Sequence, residues 1–295
     1  MSKIRSLFAR SITGLIYIGI ILSCILTDSL EMMAWVFAAM GALGVYEYQT
    51  MVGSNKYALM FKIWHSIMGA LLLYVTYSAL KFGPDDRRFL IALLPYLLYY
   101  LFFLIGEIYR QKRDPFVEIG HAFFSHIYII LPFAFLLMMT NPEALRAVVP
   151  EDQSLGFPRT FWLLPVFTFV WLNDTGAYII GSLFGKHKLL ERVSPKKTIE
   201  GTIGGVILTL AGAIGFYYIF PMVTTLANWI TLAIIVSIFS TWGDLFESFL
   251  KRTYGVKDSG KILPGHGGIL DRVDSILIAA LPAYLYISLV VNAPL

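Results

Sequence analysis

Long apolar runs constrain the fold of this chain more than any other feature of its sequence. Roughly nine stretches are long and apolar enough to cross a bilayer as helices, because a helix rising 1.5 Å per residue needs about 20 residues to span the hydrocarbon core. With 57% hydrophobic residues, the chain is also more apolar than a soluble domain. We therefore predict an all-α, polytopic integral membrane protein. The approximate limits of the spans are 11–27, 30–46, 60–80, 89–108, 118–140, 160–184, 202–220, 226–249 and 275–291.

The basic residues predict how these spans are oriented. If the N-terminus is cytoplasmic and the loops alternate between the two sides, 18 of the 23 Lys and Arg residues face the cytoplasm. About nine spans with a cytoplasmic N-terminus fit this bias. We treat residues 1–295 as a single membrane domain, in which the unusual polar residues all follow Thr160.

Composition also excludes several classes of protein. The single cysteine, Cys24, excludes a disulfide framework within the chain and a thiolate zinc site. No basic face is interleaved with exposed aromatic residues, so we expect no nucleic-acid partner. The three histidines His65, His121 and His126 are scattered over early spans, and we interpret them as packing residues rather than metal ligands.

Two of the later spans carry carboxylates within apolar runs. Asn173 and Asp174 lie well inside span 160–184, where an ionised Asp costs about 2.5–3.5 kcal/mol on insertion scales. Near the end of span 226–249, Asp244 and Ser248 share one helical face. We expect these side chains to line a polar cavity. The structural alternative is a hydrogen-bonding cluster between helices.

A basic segment, SPKKTIEG, separates two of these spans. Ser194 is a candidate N-cap for a helix opened by Pro195, which would place Lys196, Lys197 and Thr198 in the first turn. Cations there oppose the helix macrodipole, and a bound phosphate would remove the conflict. We therefore predict a phosphate contact at this segment.

Two further patterns have structural explanations. Gly201 and Gly205 form a GxxxG motif, which is typical of close packing between helices. Glu247 precedes Lys251 by four residues, a spacing that favours an ion pair on one helix.

The most highly charged segment is SFLKRTYGVKDSGKILPGHGGILDRVDS, residues 248–275, with eight charged side chains in a chain that is 14% charged. Its PGHGG stretch is too rich in Gly and Pro to be helical, and its amides can approach a phosphate closely. Asp271 and Asp274 follow at i and i+3 of the next helix. Carboxylates surrounded by Lys and Arg suit Mg²⁺ bound to nucleotide phosphates.

Three segments of the sequence resemble the phosphatidate cytidylyltransferases, also called CDP-diacylglycerol synthases. They are NDTGAY from Asn173, SPKKTIEG from Ser194, and SFLKRTYGVKDSGKILPGHGGILDRVD from Ser248. The last fits the family's signature, in which S, KR, KD, HGG and a final DR and D recur at fixed spacing. Before Thr160 only the pattern of many spans agrees. The resemblance therefore implies that 1–159 supplies scaffold, dimer and lipid-access spans and that 160–295 supplies the catalytic spans.

The resemblance implies an enzyme of the cell membrane with its active site on the cytoplasmic side. It implies CTP and phosphatidic acid as substrates, CDP-diacylglycerol and diphosphate as products, a homodimer, Mg²⁺ as cofactor, and K⁺ as a candidate second cation. Asp244 and Asp271 are the expected metal ligands and, with Lys197, Lys251 and Arg272, the expected catalytic residues. The expected substrate-binding residues are Asn173, Asp174, Ser194, Lys196, Thr198, Ser248, Arg252, Lys257, Asp258, His266, Gly267, Gly268 and Asp274.

Two other functions remain open at the level of sequence. A CTP-dependent lipid or polyprenol kinase would use similar acidic and basic segments but would transfer the γ-phosphate to an alcohol. An ion or phosphate transporter would use Asp174 and Asp244 as residues of its pathway.

Overall fold

The computed structural model describes residues 2–53, 59–110, 114–141, 158–262 and 267–291, and of residues 2–13 it describes the backbone alone. Helices dominate these ranges, and one small β-hairpin accompanies them. The prediction of an all-α, polytopic fold is confirmed. The helices are α1 Ser2–Leu26, α2 Leu30–Val52, α3 Leu59–Phe82, α4 Arg87–Tyr109, α5 Pro115–Met138, α6 Leu163–Phe184, α7 Ile199–Ile219, α8 Leu226–Thr253 and α9 Leu270–Val291.

Eight of these helices, α2 to α9, are long and apolar enough to cross a membrane within the described residues. The first helix contributes a shorter apolar segment, Gly14–Leu26. The number of spans and the side of the N-terminus therefore stay predictions. Four of the basic residues used to orient the chain lie outside the described ranges: Lys56, Lys112, Arg113 and Arg146.

The chain divides into two compact units that interleave along the sequence. The first unit contains Met1–Ile16, Ser29–Met138 and Asp258–Asp271, and the second contains Tyr17–Asp28, Met139–Lys257 and Arg272–Leu295. The expected functional division between 1–159 and 160–295 stays a prediction.

In the first unit, α2, α3 and α5 meet around one isoleucine. A turn of π-helix, His126–Ile130, interrupts α5. Ile130, at its end, is fully buried over Gly41 of α2 and Gly69 of α3, where an added Cβ would lie 2.8 Å from its Cδ1 in either case. The two glycines therefore create the space that the isoleucine fills.

Histidine side chains also pack inside this unit. The Nδ1 atom of His126 lies 3.1 Å from the hydroxyl of Tyr96 and 2.8 Å from that of Tyr100, both on α4. Its Nε2 atom lies 2.9 Å from the carbonyl oxygen of His65 on α3. These contacts tie α3, α4 and α5 together, which is the packing role expected of the two histidines.

In the second unit, glycines bring the backbones of α6 and α7 into contact. A Cβ on Gly176 would lie 2.6 Å from the carbonyl oxygen of Gly204, and one on Gly201 would lie 2.8 Å from that of Ala177. A Cβ on Gly205 would lie 2.6 Å from Oδ1 of Asn173. The close helix packing predicted from the GxxxG motif is confirmed.

The segment from Ser194 to Thr198 is a strand, and the prediction of a helix opened by Pro195 is wrong. Strand β2 (Ser194–Thr198) pairs antiparallel with β1 (Lys188–Leu190). Helix α7 begins only at Ile199, and the side chain of Thr198 caps it by accepting from the amide of Gly201 at 3.1 Å. Because the lysines stay in the strand, the acidic Glu200 occupies the first helical turn, as the macrodipole favours.

The glycine contacts between α6 and α7 predict a large difference between two substitutions on the same helix. Gly205→Ala should destabilise the protein by about 1–3 kcal/mol, because its Cβ must displace Asn173 or the backbone of α6. Thermal unfolding of the purified protein in detergent measures this as a lower Tm. Gly215→Ala is the matched control, since a Cβ there meets no atom within 4 Å. An equal loss of stability in both variants would contradict the packing described.

Candidate active site

A cavity of about 470 Å³ lies in the second unit and is lined by residues of α6, β2, α7 and α8. It brings together many of the site residues predicted from sequence, although they come from segments up to 71 positions apart, from residue 173 to residue 244. The predicted residues in its lining are Asn173, Asp174, Ser194, Lys196, Lys197, Thr198 and Asp244.

An ion pair joins two of these residues across the cavity wall. Nζ of Lys197, on β2, lies 2.7 Å from Oδ2 of Asp244, on α8. The same ammonium donates to the carbonyl oxygen of Thr241 at 3.4 Å, and the hydroxyl of Ser248 donates to Oδ1 of Asp244 at 3.4 Å. About a quarter of the Lys197 side chain and a third of that of Asp244 stay exposed. The pair is thus accessible from the cavity while its geometry is fixed by α8.

Three carboxylates of this unit act on one another electrostatically. They are Asp174 on α6, Asp244 on α8 and Asp274 on α9. Asp274 is buried, and its Oδ1 accepts from the amide of Ser275 at 2.8 Å. The charges of Lys197 and Arg272 offset the carboxylate of Asp174. The arrangement sets carboxyl groups from three helices near one another and near two cations.

The amide of Asn173 is engaged in the contact between α6 and α8. Its Nδ2 donates to the hydroxyls of Ser240 at 3.0 Å and Thr241 at 3.2 Å, and its Oδ1 accepts from Ser237 at 2.5 Å. These bonds fix the turn of α6 that also carries Asp174. The structure therefore gives Asn173 a positioning role next to the cavity, and its predicted substrate contact stays a prediction.

Other predicted basic residues lie outside the lining of this cavity. Lys251 forms an ion pair with Glu247 on its own helix, as the spacing of the two predicted. Arg252 donates to the carbonyl oxygen of Val256 at 3.0 Å, and Lys257 and Arg272 are exposed. Their roles as phosphate contacts stay predictions.

In the first unit, the described residues of 258–271, here called the signature segment, fold back onto Asp271 at the start of α9. Its Oδ2 accepts from the amide of Ser259 at 3.0 Å, from the hydroxyl of Ser259 at 3.0 Å and from the amide of Gly268 at 2.8 Å. Gly267 has a φ of +87°, and a Cβ there would lie 2.5 Å from the same oxygen. The glycines predicted as phosphate contacts thus enclose a carboxylate. Asp258 is exposed, and His266 lies outside the described residues.

A buried glutamate that the sequence analysis missed also contacts this segment. Glu47, on α2, is 2% exposed, and its two carboxylate oxygens accept from the amides of Ile269 at 3.0 Å and Leu270 at 2.9 Å. The hydroxyl oxygen of Ser259 lies 3.3 Å from its Oε2. A charged residue near the end of an apolar span was the available signal, because such a residue needs a partner inside the protein.

The chemistry of the carboxylates suits a hard divalent cation. Asp174, Asp244 and Asp274 offer oxygen ligands of the kind that Mg²⁺ prefers, beside a cavity that also carries lysines. Within the described residues, no group of three or more His, Cys, Asp or Glu side chains converges closely enough to form a complete ligand set. Mg²⁺ usually takes one or two carboxylates and completes its shell with water and substrate phosphates, so the residues present fit it. The assignment of Asp244 and Asp271 as its ligands stays a prediction.

Comparison with known proteins agrees with the resemblance seen in the sequence. A sequence model of the Cytidylyltransferase family matches residues 8–290. The chain is 38% identical over 221 residues to the phosphatidate cytidylyltransferase of Staphylococcus saprophyticus, an alignment that covers 72% of this chain and 74% of that protein. It is 31% identical over 268 residues to the phosphatidate cytidylyltransferase of Bacillus subtilis, covering 91% and 93%. The protein of that name from Staphylococcus aureus strain COL is 41% identical over 169 residues, covering 57% and 58%.

Proposed function

The chain belongs to the cytidylyltransferase family, and we propose that it transfers the CMP moiety of CTP to phosphatidic acid. The products are CDP-diacylglycerol and diphosphate, so the protein is a nucleotidyltransferase of phospholipid biosynthesis. One structural observation carries the proposal. The cavity of the second unit places lysines and carboxylates together on membrane helices, where the phosphates of a nucleotide and of a lipid can both be bound.

The cavity suits the polar end of CTP. Its volume of about 470 Å³ lies within the range of roughly 300–1,000 Å³ that is typical of small-molecule sites. Lys196 and Lys197 extend from β2 into its lining and provide positive charge for the phosphates. Thr198 and Ser194 add hydroxyl groups from the same strand. The substrate phosphates therefore bind along β2.

The reaction is an in-line displacement at the α-phosphorus of CTP. A phosphate oxygen of phosphatidic acid forms the new bond to this phosphorus, and the bond from the phosphorus to the diphosphate oxygen breaks. Because the attacking phosphate is already anionic, the reaction needs no dedicated general base. Lys197 stabilises the negative charge that builds on the departing diphosphate. Stabilisation of charge that develops in the transition state is usually the largest single contribution to catalysis.

Mg²⁺ is the proposed cofactor, with K⁺ as a candidate second cation. When bound, Mg²⁺ supplies charge stabilisation at the phosphate oxygens. Asp244 is the first candidate ligand, since its carboxylate lines the cavity and is partly exposed. Lys197 holds this carboxylate in place through its ion pair and limits the repulsion from Asp174.

The protein is a multi-pass membrane protein with lipid as a substrate. We place it in the cell membrane, with its active site on the cytoplasmic side, because most of its basic residues face the cytoplasm in the predicted orientation. This orientation gives the cavity access to CTP. A homodimer is part of the proposal, on the basis of the family resemblance.

Labelled CTP distinguishes the proposed reaction from that of a lipid kinase. The purified protein, in vesicles that contain phosphatidic acid together with diacylglycerol and a polyprenol as alcohol acceptors, should transfer label from [α-³²P]CTP to lipid and release the label of [γ-³²P]CTP as diphosphate. A kinase would transfer the γ-label to lipid, because it uses the terminal phosphate. Appearance of γ-label in the lipid, or no lipid labelling from either nucleotide, would exclude the proposed transfer. A transporter would label no lipid.

The ion pair of the cavity predicts a specific effect of one lysine. Lys197→Met should lower kcat/KM by about 10²–10³-fold, because the fixed cation beside the phosphates is lost. Steady-state assays at saturating and limiting CTP measure both constants. Lys188→Met, in the neighbouring strand and outside the cavity lining, is the matched control and should keep nearly full activity. Equal activity of the two variants would remove Lys197 from the mechanism.

A further inference from the structure

We infer that Glu47 is a positioning residue that fixes the signature segment around Asp271. The inference rests on the proposed function, because it assigns a role in that reaction to a residue on an early span. Glu47 lies on α2, more than 200 positions before the residues that it holds. Nothing in the family signature, which begins at Ser248, includes it.

Both carboxylate oxygens of Glu47 accept hydrogen bonds from the signature segment. Its Oε1 accepts from the amide of Ile269 and its Oε2 from that of Leu270, at 3.0 and 2.9 Å. Leu270 is the first residue of α9 and Ile269 directly precedes it, and the first N–H groups of a helix have no acceptor within the helix. Glu47 therefore caps α9 from another helix. Its negative charge also lies at the end of the helix that favours anions.

Ser259 connects the Glu47 carboxylate to that of Asp271. Its hydroxyl lies 3.3 Å from Oε2 of Glu47 and 3.0 Å from Oδ2 of Asp271, and its amide donates to the same oxygen of Asp271 at 3.0 Å. Each carboxylate also accepts from the turn before α9, Asp271 from the amide of Gly268 and Glu47 from that of Ile269. The orientation of Asp271 thus depends on a turn that Glu47 holds.

Two glycines of the signature segment leave the space that the Glu47 carboxylate occupies. A Cβ on Gly260 would collide with Oε1 of Glu47, and a Cβ on Gly268 would collide with Oε2 and with the hydroxyl of Ser259. The backbone can approach the carboxylate this closely only because neither position has a side chain. The segment before α9 is therefore shaped around Glu47.

Glu47→Gln tests this role because it keeps the shape of the side chain and removes one of its two acceptors. The carboxamide can accept from only one of the two amides, so the other loses its partner. Hydrogen–deuterium exchange should become about tenfold faster or more at Ser259 and at residues 268–270, with the rest of the chain unchanged. This measurement needs no activity, so it stays informative even if the proposed reaction is wrong.

Kinetics then separate positioning from simple stabilisation. If Glu47 holds Asp271 in its working orientation, Glu47→Gln should lower kcat by about tenfold or more and change the KM for CTP by less than about threefold. Ser259→Ala removes the shared hydroxyl from the other side and should show the same pattern. The two changes combined should cost less than the product of their separate effects, because they break one network.

Glu31→Gln is the matched control on the same helix. The Glu31 side chain is 63% exposed, and its nearest cation is Lys81 at 3.9 Å, so its loss should leave exchange and kinetics unchanged. Two outcomes would overturn the inference. One is faster exchange throughout the protein with normal kcat per folded molecule, which would indicate a purely structural role. The other is unchanged exchange at residues 268–270.

Discussion

A carboxylate on a membrane-spanning helix requires a partner inside the protein, and the site of this molecule depends on that constraint. An unpartnered charge at the centre of such a span costs about 2.5–3.5 kcal/mol on insertion scales. In the second unit, Asp244 meets the ammonium of Lys197 at 2.7 Å. In the first unit, Glu47 meets the amides at the start of α9. Within its own unit, each carboxylate fixes a loop or strand that carries predicted site residues, so satisfying the charge also orders those residues.

Close helix packing makes the first of these pairings possible. Gly176 and Gly205 let the backbones of α6 and α7 touch, which leaves room for the amide of Asn173 to bind α8. Strand β2 leads directly into α7, so the position of that helix determines where Lys197 points. The cavity is therefore a consequence of small residues on α6 and α7. Its polar lining comes from the turn of α6 and from the strand before α7.

Apolar runs predicted the helices well, because a span must be both long and apolar. The predicted limits 226–249 and 160–184 differ from α8 and α6 by a few residues only. SPKKTIEG was misread because Ser-Pro is a frequent helix start. The segment forms a strand instead, because it pairs with β1 and because lysines in the first turn of a helix would oppose the helix macrodipole.

The residues of the cavity could be predicted as a group, but their contacts could not. The sequence marks two carboxylates within apolar spans, Asp174 and Asp244, and a lysine, Lys197, in a basic segment between spans. The structure brings the three into the lining of one cavity. The pair of Lys197 with Asp244 depends on the packing of three helices, which no local pattern encodes. Glu47 was missed for the same reason, since its partners lie more than 200 positions away.

In the proposed reaction, the cavity beside Asp244 and Lys197 binds the phosphates of CTP with a divalent cation. Anomalous scattering from crystals grown with Mn²⁺ in place of Mg²⁺ and a non-reactive CTP analogue tests it most directly. We expect a manganese peak roughly 2.0–2.5 Å from a carboxylate oxygen of Asp244, with the analogue's phosphates beside Lys197. A peak and a nucleotide bound together outside this cavity would contradict it.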